Sequence, residues 1–356
     1  MKVVTVTGIR PDFIRMSVIF KKLDQYFDHI LIHTGQHYDT LLSDIFFKDL
    51  GIREPDYTLN IGKNNSTHYG QLSCLSTDII TLFKTNNINP DMIIFLGDSN
   101  SVCAALPLKK EGYKICHIEA GMRSYDKRML EEINRTVCDH CSDLLFVYHE
   151  DYKAQLIKEN INNNIHVVGN TILEVCKEFI PTSIKSRNLI LMDIHRPENF
   201  KYIDRLVNII KYGNICHDKY GLSVKFLKFH GTCACISENN IHIGDIEIID
   251  LLSYEEYLCM AYNSLFVISD SGTAQEELCL LNTPVIVPRN FTERPQSVAN
   301  NCSFMLNADN LANINDSFEW IEDLLTIKTR MDTEWLGEGN TSDIIINKLQ
   351  NYLDNT

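Results

Sequence analysis

Unbroken apolar runs and helical periodicities alternate along this chain, and the alternation predicts the fold. Met92–Leu96 is apolar throughout and Ile115–Ile118 is apolar but for His117, the pattern of parallel strands buried on both faces. Lys2–Val6, His29–Thr34 and Leu144–Tyr148 read as further strands. A helix is expected from about Asp12 to Phe27, and helical intervals separate the later runs. Parallel strands need crossover connections, so this stretch predicts a doubly wound α/β domain. His166–Val168 is a short strand, and a helix from near Thr171 leads away to a linker at Pro181-Thr182-Ser183. The rhythm then restarts. Asn188–Ile194, Val224–Phe229, Ile246–Ile249, Leu265–Ser269 and Val285–Val287 read as strands, Ile203–Tyr220 as a helix, and Thr341–Leu353 as a final amphipathic helix. The expected architecture is two Rossmann-like doubly wound α/β domains facing a cleft, a favoured place for a ligand.

Where the polar residues fall gives the chemistry. In an open α/β sheet the ligand lies beyond the carboxyl ends of the strands. Asp98 and Glu119 each follow one of the apolar runs. Glu131 opens an expected helix with Arg135 one turn on, a spacing that puts both on one helix face. Arg10 follows the first strand, where its guanidinium can fork onto a phosphate. His195, beside Arg196, follows the first strand of the second half. Ser271 and Gly272 sit between a strand and a helical pattern, where bared backbone N–H groups and the helix dipole attract an anion. Glu276 and Glu277 fall in that helix's first turn, suited to ribose hydroxyls or simply to the dipole. Arg294 offers a further cation after a later strand. Taken singly, strand-end acids, a helix ion pair and a lone histidine are ordinary structural features. Their common placement at strand carboxyl ends in two α/β halves is what argues for a site.

Composition removes several alternatives. The chain has 356 residues, enough for two domains. Its net charge of −14 offers no basic excess to displace counterions, so nucleic acid is not an expected partner. No apolar run approaches the ~20 residues of a membrane span. Gly8-Ile9-Arg10-Pro11 has no GxGxxG pattern, so no nicotinamide cofactor is expected. The twelve cysteines are scattered. Cys138 and Cys141, and Cys233 and Cys235, lack a second pair at zinc-site spacing, so no metal is expected. Thiols inside apolar runs, and an N-terminus that reads as strand and turn, lead to the expectation of a cytoplasmic protein.

The motifs GIRPDFIR, HTGQHYD, LGDSNS, HIEAGMRS, LEEINR, VVGNT, HRPEN, DSGTAQEE and TERP occur in that order. With them, Met1 to about Leu353 resembles the non-hydrolysing UDP-N-acetylglucosamine 2-epimerases. The resemblance implies a GT-B-like fold with domains 1–172 and 173–340, the helix of 341–356 returning to the first. It implies a UDP-sugar substrate, no cofactor, usually a homodimer, and a role in glycan precursor synthesis. By motif, Asp98, Glu119, Glu131 and His195 match the family's catalytic residues, and Arg10 and Arg135 its active-site arginines. Ser271, Gly272, Glu277 and Arg294 match the nucleotide-binding segments, and His230 is a looser match on that side. LGDSNS, SYDKRM and DSGT depart from the commonest pattern and look more like the branch acting on UDP-2-acetamido-2,6-dideoxy-L-hexoses.

The C2 hydrogen of such a sugar is not next to a carbonyl, so direct deprotonation is too costly. The family's route eliminates UDP to a 2-acetamidoglycal and adds it back. That route needs proton-handling groups on both faces and cations for the diphosphate. A carboxylate at a helix start suits the dipole, which favours Glu131 as base or charge stabiliser. The rival readings are a GT-B glycosyltransferase, which does not need three acids; a hydrolysing 2-epimerase, which commonly carries a kinase domain; and a silent UDP-sugar sensor.

Overall fold

The computed structural model describes residues 1–36, 44–64, 67–126, 128–326 and 331–356. His37, Tyr38 and Asp39 of the HTGQHYD motif and Lys127 of SYDKRM lie outside the described residues. The chain divides into two compact units, Met1–Val175 with Leu336–Thr356, and Cys176–Trp335.

The first unit holds a seven-stranded sheet made of β1 (Lys2–Thr7), β2 (Asp28–His33), β3 (Tyr57–Thr58), β4 (Met92–Leu96), β5 (Ile115–Ile118), β6 (Leu144–Val147) and β7 (Ile165–Val167). All pairings are parallel, in the order β3-β2-β1-β4-β5-β6-β7. The strand order reverses between β1 and β4, the switch point at which such sheets open a crevice. Val4, Val6, Ile93, Phe95, Ile79 and Phe83 form part of the core between sheet and helices. The chain's last helix, Thr341–Asp354, belongs to this unit. Its Asp343 pairs with Lys22, and Ser342 Oγ donates to Glu174 Oε1 at 2.7 Å.

The second unit repeats the plan with β8 (Leu189–Asp193), β9 (Ser223–Leu227), β10 (Glu247–Ile249), β11 (Ser264–Ser269), β12 (Val285–Val287) and β13 (Ser303–Met305). The order β10-β9-β8-β11-β12-β13 places its switch point between β8 and β11. Ile190, Met192, Phe226, Phe266 and Ile268 are buried in its core. Among the described residues, no helix is long and apolar enough to cross a membrane.

Candidate active site

In the first unit, the two switch-point strands deliver their polar residues to the same end of the sheet. β1 runs into the helix Arg10–Tyr26, which carries Arg10, Asp12 and Arg15 in its first turns, with Pro11 where its missing N–H costs nothing. β4 is followed directly by Gly97 and Asp98, and β5 by Glu119. Glu119 has φ of +71°, a left-handed conformation that L side chains rarely hold unless their surroundings enforce it. Here Glu119 is 4 % exposed and ion-paired to Arg15. Arg15 also donates to Asp12 Oδ1 at 3.1 Å. Asp12 accepts from Ser99 Oγ at 3.2 Å. Burial pushes the Asp12 carboxyl up to about 6; Arg15 opposes the shift and Asp98 adds to it. Asp98 in turn is ion-paired to Arg135.

The structure therefore joins Asp98, Glu119, Asp12, Arg15 and Arg135 into an acid–arginine cluster. Asp12 and Arg15 are additions. In the sequence they fall inside the helix expected from about Asp12 to Phe27, and an acid and an arginine three apart just past a strand-end turn are the signal that marks them. Arg135 makes an i,i+3 pair with Glu132 at 3.2 Å. Glu132 also accepts from Ser124 N, Ser124 Oγ and Tyr125 N, so it fastens the loop after β5 to the helix Leu130–Cys141. Glu131, in the same first helical turn, is half-buried, as is Arg10 at the start of its own helix.

In the second unit, β8 ends in a carboxylate, Asp193, and His195 follows two residues later. Asp193 Oδ1 lies 2.9 Å from His195 Nδ1, and Ser269 Oγ donates to Asp193 Oδ2 at 3.0 Å. This bond assigns the Nδ1 proton and leaves Nε2 as the working atom. Burial lowers the pKa of His195, but Asp193 and Asp270 outweigh it and leave the imidazole above its ordinary value. Asp270 is fully buried and accepts from the backbone N–H groups of His195 and Arg196 and from Asn199 Nδ2. It thus pins the HRPEN loop to the end of β11. Ligand atoms of Asp193, His195 and Asp270 lie within 4.8 Å of one another. Their oxygens are already taken by the bonds just named, an arrangement that orients a histidine.

The DSGT segment packs against the TERP loop. A Cβ on Gly272 would stand 2.4 Å from Arg294 Nη1 and 2.5 Å from Glu293 Oε1. Arg294, expected as a cation for the ligand, is itself held by Glu276 at 2.9 Å and Glu293 at 2.7 Å. Glu277 accepts from the Tyr254 hydroxyl at 2.9 Å. Ser271 Oγ faces the backbone N–H of Ala274 at 3.4 Å, at the start of the helix Ala274–Leu280. His230 is exposed at the start of the helix His230–Glu238. It follows Phe229, whose ring lies 4.8 Å from that of His195.

Two Rossmann-type sheets in one chain, each with its polar groups at the switch point, place the protein in the GT-B-like class. The comparisons narrow this class. The family profile described as UDP-N-acetylglucosamine 2-epimerase matches residues 21–350, and the chain belongs to that family. It is 34 % identical to the UDP-N-acetylglucosamine 2-epimerase of Methanococcus maripaludis, over 97 % of each chain. It is 32 % identical to the UDP-2,3-diacetamido-2,3-dideoxy-D-glucuronate 2-epimerase of Pseudomonas aeruginosa, over 82 % of this chain and 84 % of that one. The Methanocaldococcus jannaschii UDP-GlcNAc 2-epimerase, solved in complex with UDP-GlcNAc and UDP, superposes with a TM-score of 0.89 and 31 % identity. That match covers 99 % of this chain and all of the other.

Proposed function

We propose that the protein interconverts the C2 epimers of a UDP-2-acetamido sugar without hydrolysing it. The observation that carries this reading is the first unit's cluster, in which two strand-end carboxylates, Asp98 and Glu119, are each held by a buried arginine. In the proposed reaction a carboxylate takes the C2 proton while the C1–O bond breaks, and the bonding electrons leave with UDP. The products are a 2-acetamidoglycal and UDP. A proton then arrives at C2 from the opposite face, and UDP re-forms the bond at C1. The exchange is cofactor-free. Asp98, Glu119 and Glu131 supply the proton-handling groups, and Arg10 and Arg135 supply positive charge. His195, with its proton on Nδ1 directed to Asp193, offers Nε2–H to the departing diphosphate. Ser271, Gly272, Glu277, His230 and Arg294 are proposed to form the nucleotide side.

In deuterated water, re-isolated UDP-sugar of both C2 configurations should carry deuterium at C2. Product that keeps all of its original C2 hydrogen would exclude the elimination. Release of free sugar and UDP would make the enzyme a hydrolysing one.

For the sugar itself, the relatives' names favour UDP-N-acetylglucosamine. A second reading, a UDP-2-acetamido-2,6-dideoxy-L-hexose such as a UDP-L-rhamnosamine or L-fucosamine derivative, is supported by LGDSNS, SYDKRM and DSGT. Part of that signal is structural: Ser99 bonds Asp12, Asn100 bonds Gln71, and Ser101 bonds Thr34. A pocket built for a 6-deoxy sugar would leave an extra hydroxyl unpaired, at roughly 1–3 kcal/mol, or one to two decades in kcat/KM. The ratio of kcat/KM for the two sugars decides between them. We also propose a homodimer, supported by exposed Leu106, Leu130 and Ile133 on the first unit. A cytoplasmic location fits twelve free thiols.

A further inference from the structure

Behind the first unit's acids lies a histidine that the proposed reaction leaves unused. His117 is in β5, two residues before Glu119, and is fully buried. Its Nδ1 lies 2.7 Å from Asp139 Oδ1, and its Nε2 lies 2.8 Å from the carbonyl oxygen of Gly97. Both partners are acceptors. A neutral imidazole carries a single N–H and would turn a lone pair toward one of those oxygens. Moving the extra proton onto Asp139 is opposed by the other carboxylate oxygen, which takes the Arg123 guanidinium at 2.8 Å and the Gly121 N–H at 3.1 Å.

We infer that His117 is a permanently charged positioning residue whose imidazolium, through Asp139, ties the turn that presents Asp98 to the turn that presents Glu119. The tie is geometric at each end. Gly97, the residue before Asp98, has φ of +71°, and its carbonyl is fixed by His117. Gly121, two residues after Glu119, has φ of +80°, and its N–H is fixed by Asp139. Glu119 between them is itself left-handed. Two strands thus end in conformations that β-structure does not favour, and one histidine–carboxylate pair holds both.

The titratable groups facing the ring are Cys138 and Asp139 of the helix Leu130–Cys141, with Arg123 beyond Asp139 and Glu159 beyond Arg123. Burial pulls the histidine down, but Cys138 and Asp139 outweigh it and hold it well above the usual histidine range. Asp139 is held below the usual carboxylate range: burial raises it, but His117 and Arg123 outweigh burial.

This inference rests on the proposed roles of Asp98 and Glu119, and its test separates the two. In protein labelled with nitrogen-15 at histidine, His117 should show hydrogens on both ring nitrogens, unchanged between about pH 6 and 9. A ring with one hydrogen, or one titrating in that range, overturns the inference, and this readout needs no substrate. His117→Asn keeps a group near Asp139 but loses the Gly97 contact. Its kcat and its C2 deuterium exchange should fall together by about 100-fold, the scale of an ångström-sized misplacement. KM and UDP affinity should change less than about twofold. His117→Gln, which can still donate to the Gly97 carbonyl, should recover part of the loss. Folded variants with unchanged kcat would overturn the positioning role. Should wild-type protein exchange no C2 hydrogen with any UDP-2-acetamido sugar, the proposed function fails, while the nitrogen spectrum still reports on the charged ring.

Discussion

Replacing Asp12 by asparagine tests the electrostatics of the first unit directly. Asp12 is 1 % exposed, and its carboxyl is pushed from an ordinary 3.8 up to about 6. The folded protein therefore holds this proton more tightly than the unfolded chain does. The stability it contributes is complete below about pH 4 and is lost as pH rises through 6, because the buried carboxylate must then ionise beside Asp98. At about 1.36 kcal/mol per pH unit, the gap between 3.8 and about 6 amounts to about 3 kcal/mol. The amide of the Asp12→Asn variant cannot ionise, so the variant lacks this loss. Urea unfolding of both proteins in a series from about pH 4 to 8 measures the difference. The variant carries a constant offset from its weakened contact with Arg15. On top of that offset, its stability relative to wild type should climb by about 3 kcal/mol between about pH 4 and 7.5. A difference that stays flat, or that falls with pH, would refute this account of the cluster.

The second unit yields two further predictions. Asp193→Asn removes the carboxylate that orients and charges His195, so kcat should drop by about two decades or more. The pKa of His195 should also fall, moving the basic limb of the kcat profile to lower pH; an unmoved limb would exclude His195 as the group titrating there. Gly272→Ala forces a methyl group into the Arg294–Glu293 ion pair. UDP affinity measured by calorimetry should weaken by at least about tenfold, since a buried pair disturbed on one side costs several kcal/mol; unchanged affinity would place the nucleotide site elsewhere.

The central strands were legible because they are covered on both faces. Met92–Leu96, Ile115–Ile118 and Val285–Val287 are strands of those very bounds, each an apolar run in sequence, broken only by His117 in the second. The edge strands Tyr57–Thr58 and Ser303–Met305 were not legible. They are short and mix polar with apolar residues, so no run announces them. The acids at strand ends could be placed because the α/β topology fixes where such ends lie. Their partners could not. Arg135 pairs with Asp98, far away in sequence, and with Glu132, whereas helical spacing alone suggested Glu131. Asp193 lies inside the strand expected over Asn188–Ile194. A carboxylate ending an otherwise apolar run, two residues before a histidine, lies on the same side of an extended chain as that histidine, and that alternation was the overlooked signal.

The return of the helix Thr341–Asp354 to the first unit has a consequence for biosynthesis. The first unit draws on residues at both extremes of the chain, Met1–Val175 and Leu336–Thr356, while the second is one continuous piece, Cys176–Trp335. On the ribosome the usual order is N-terminal domain first. Here the segment made first waits for Asp343 to meet Lys22 and for Ser342 to meet Glu174, and these arrive only after residue 335 has been added. The continuous unit can finish while the split one is still open. Over that interval the side of the helix Arg10–Tyr26 that later receives residues 341–354 stays uncovered.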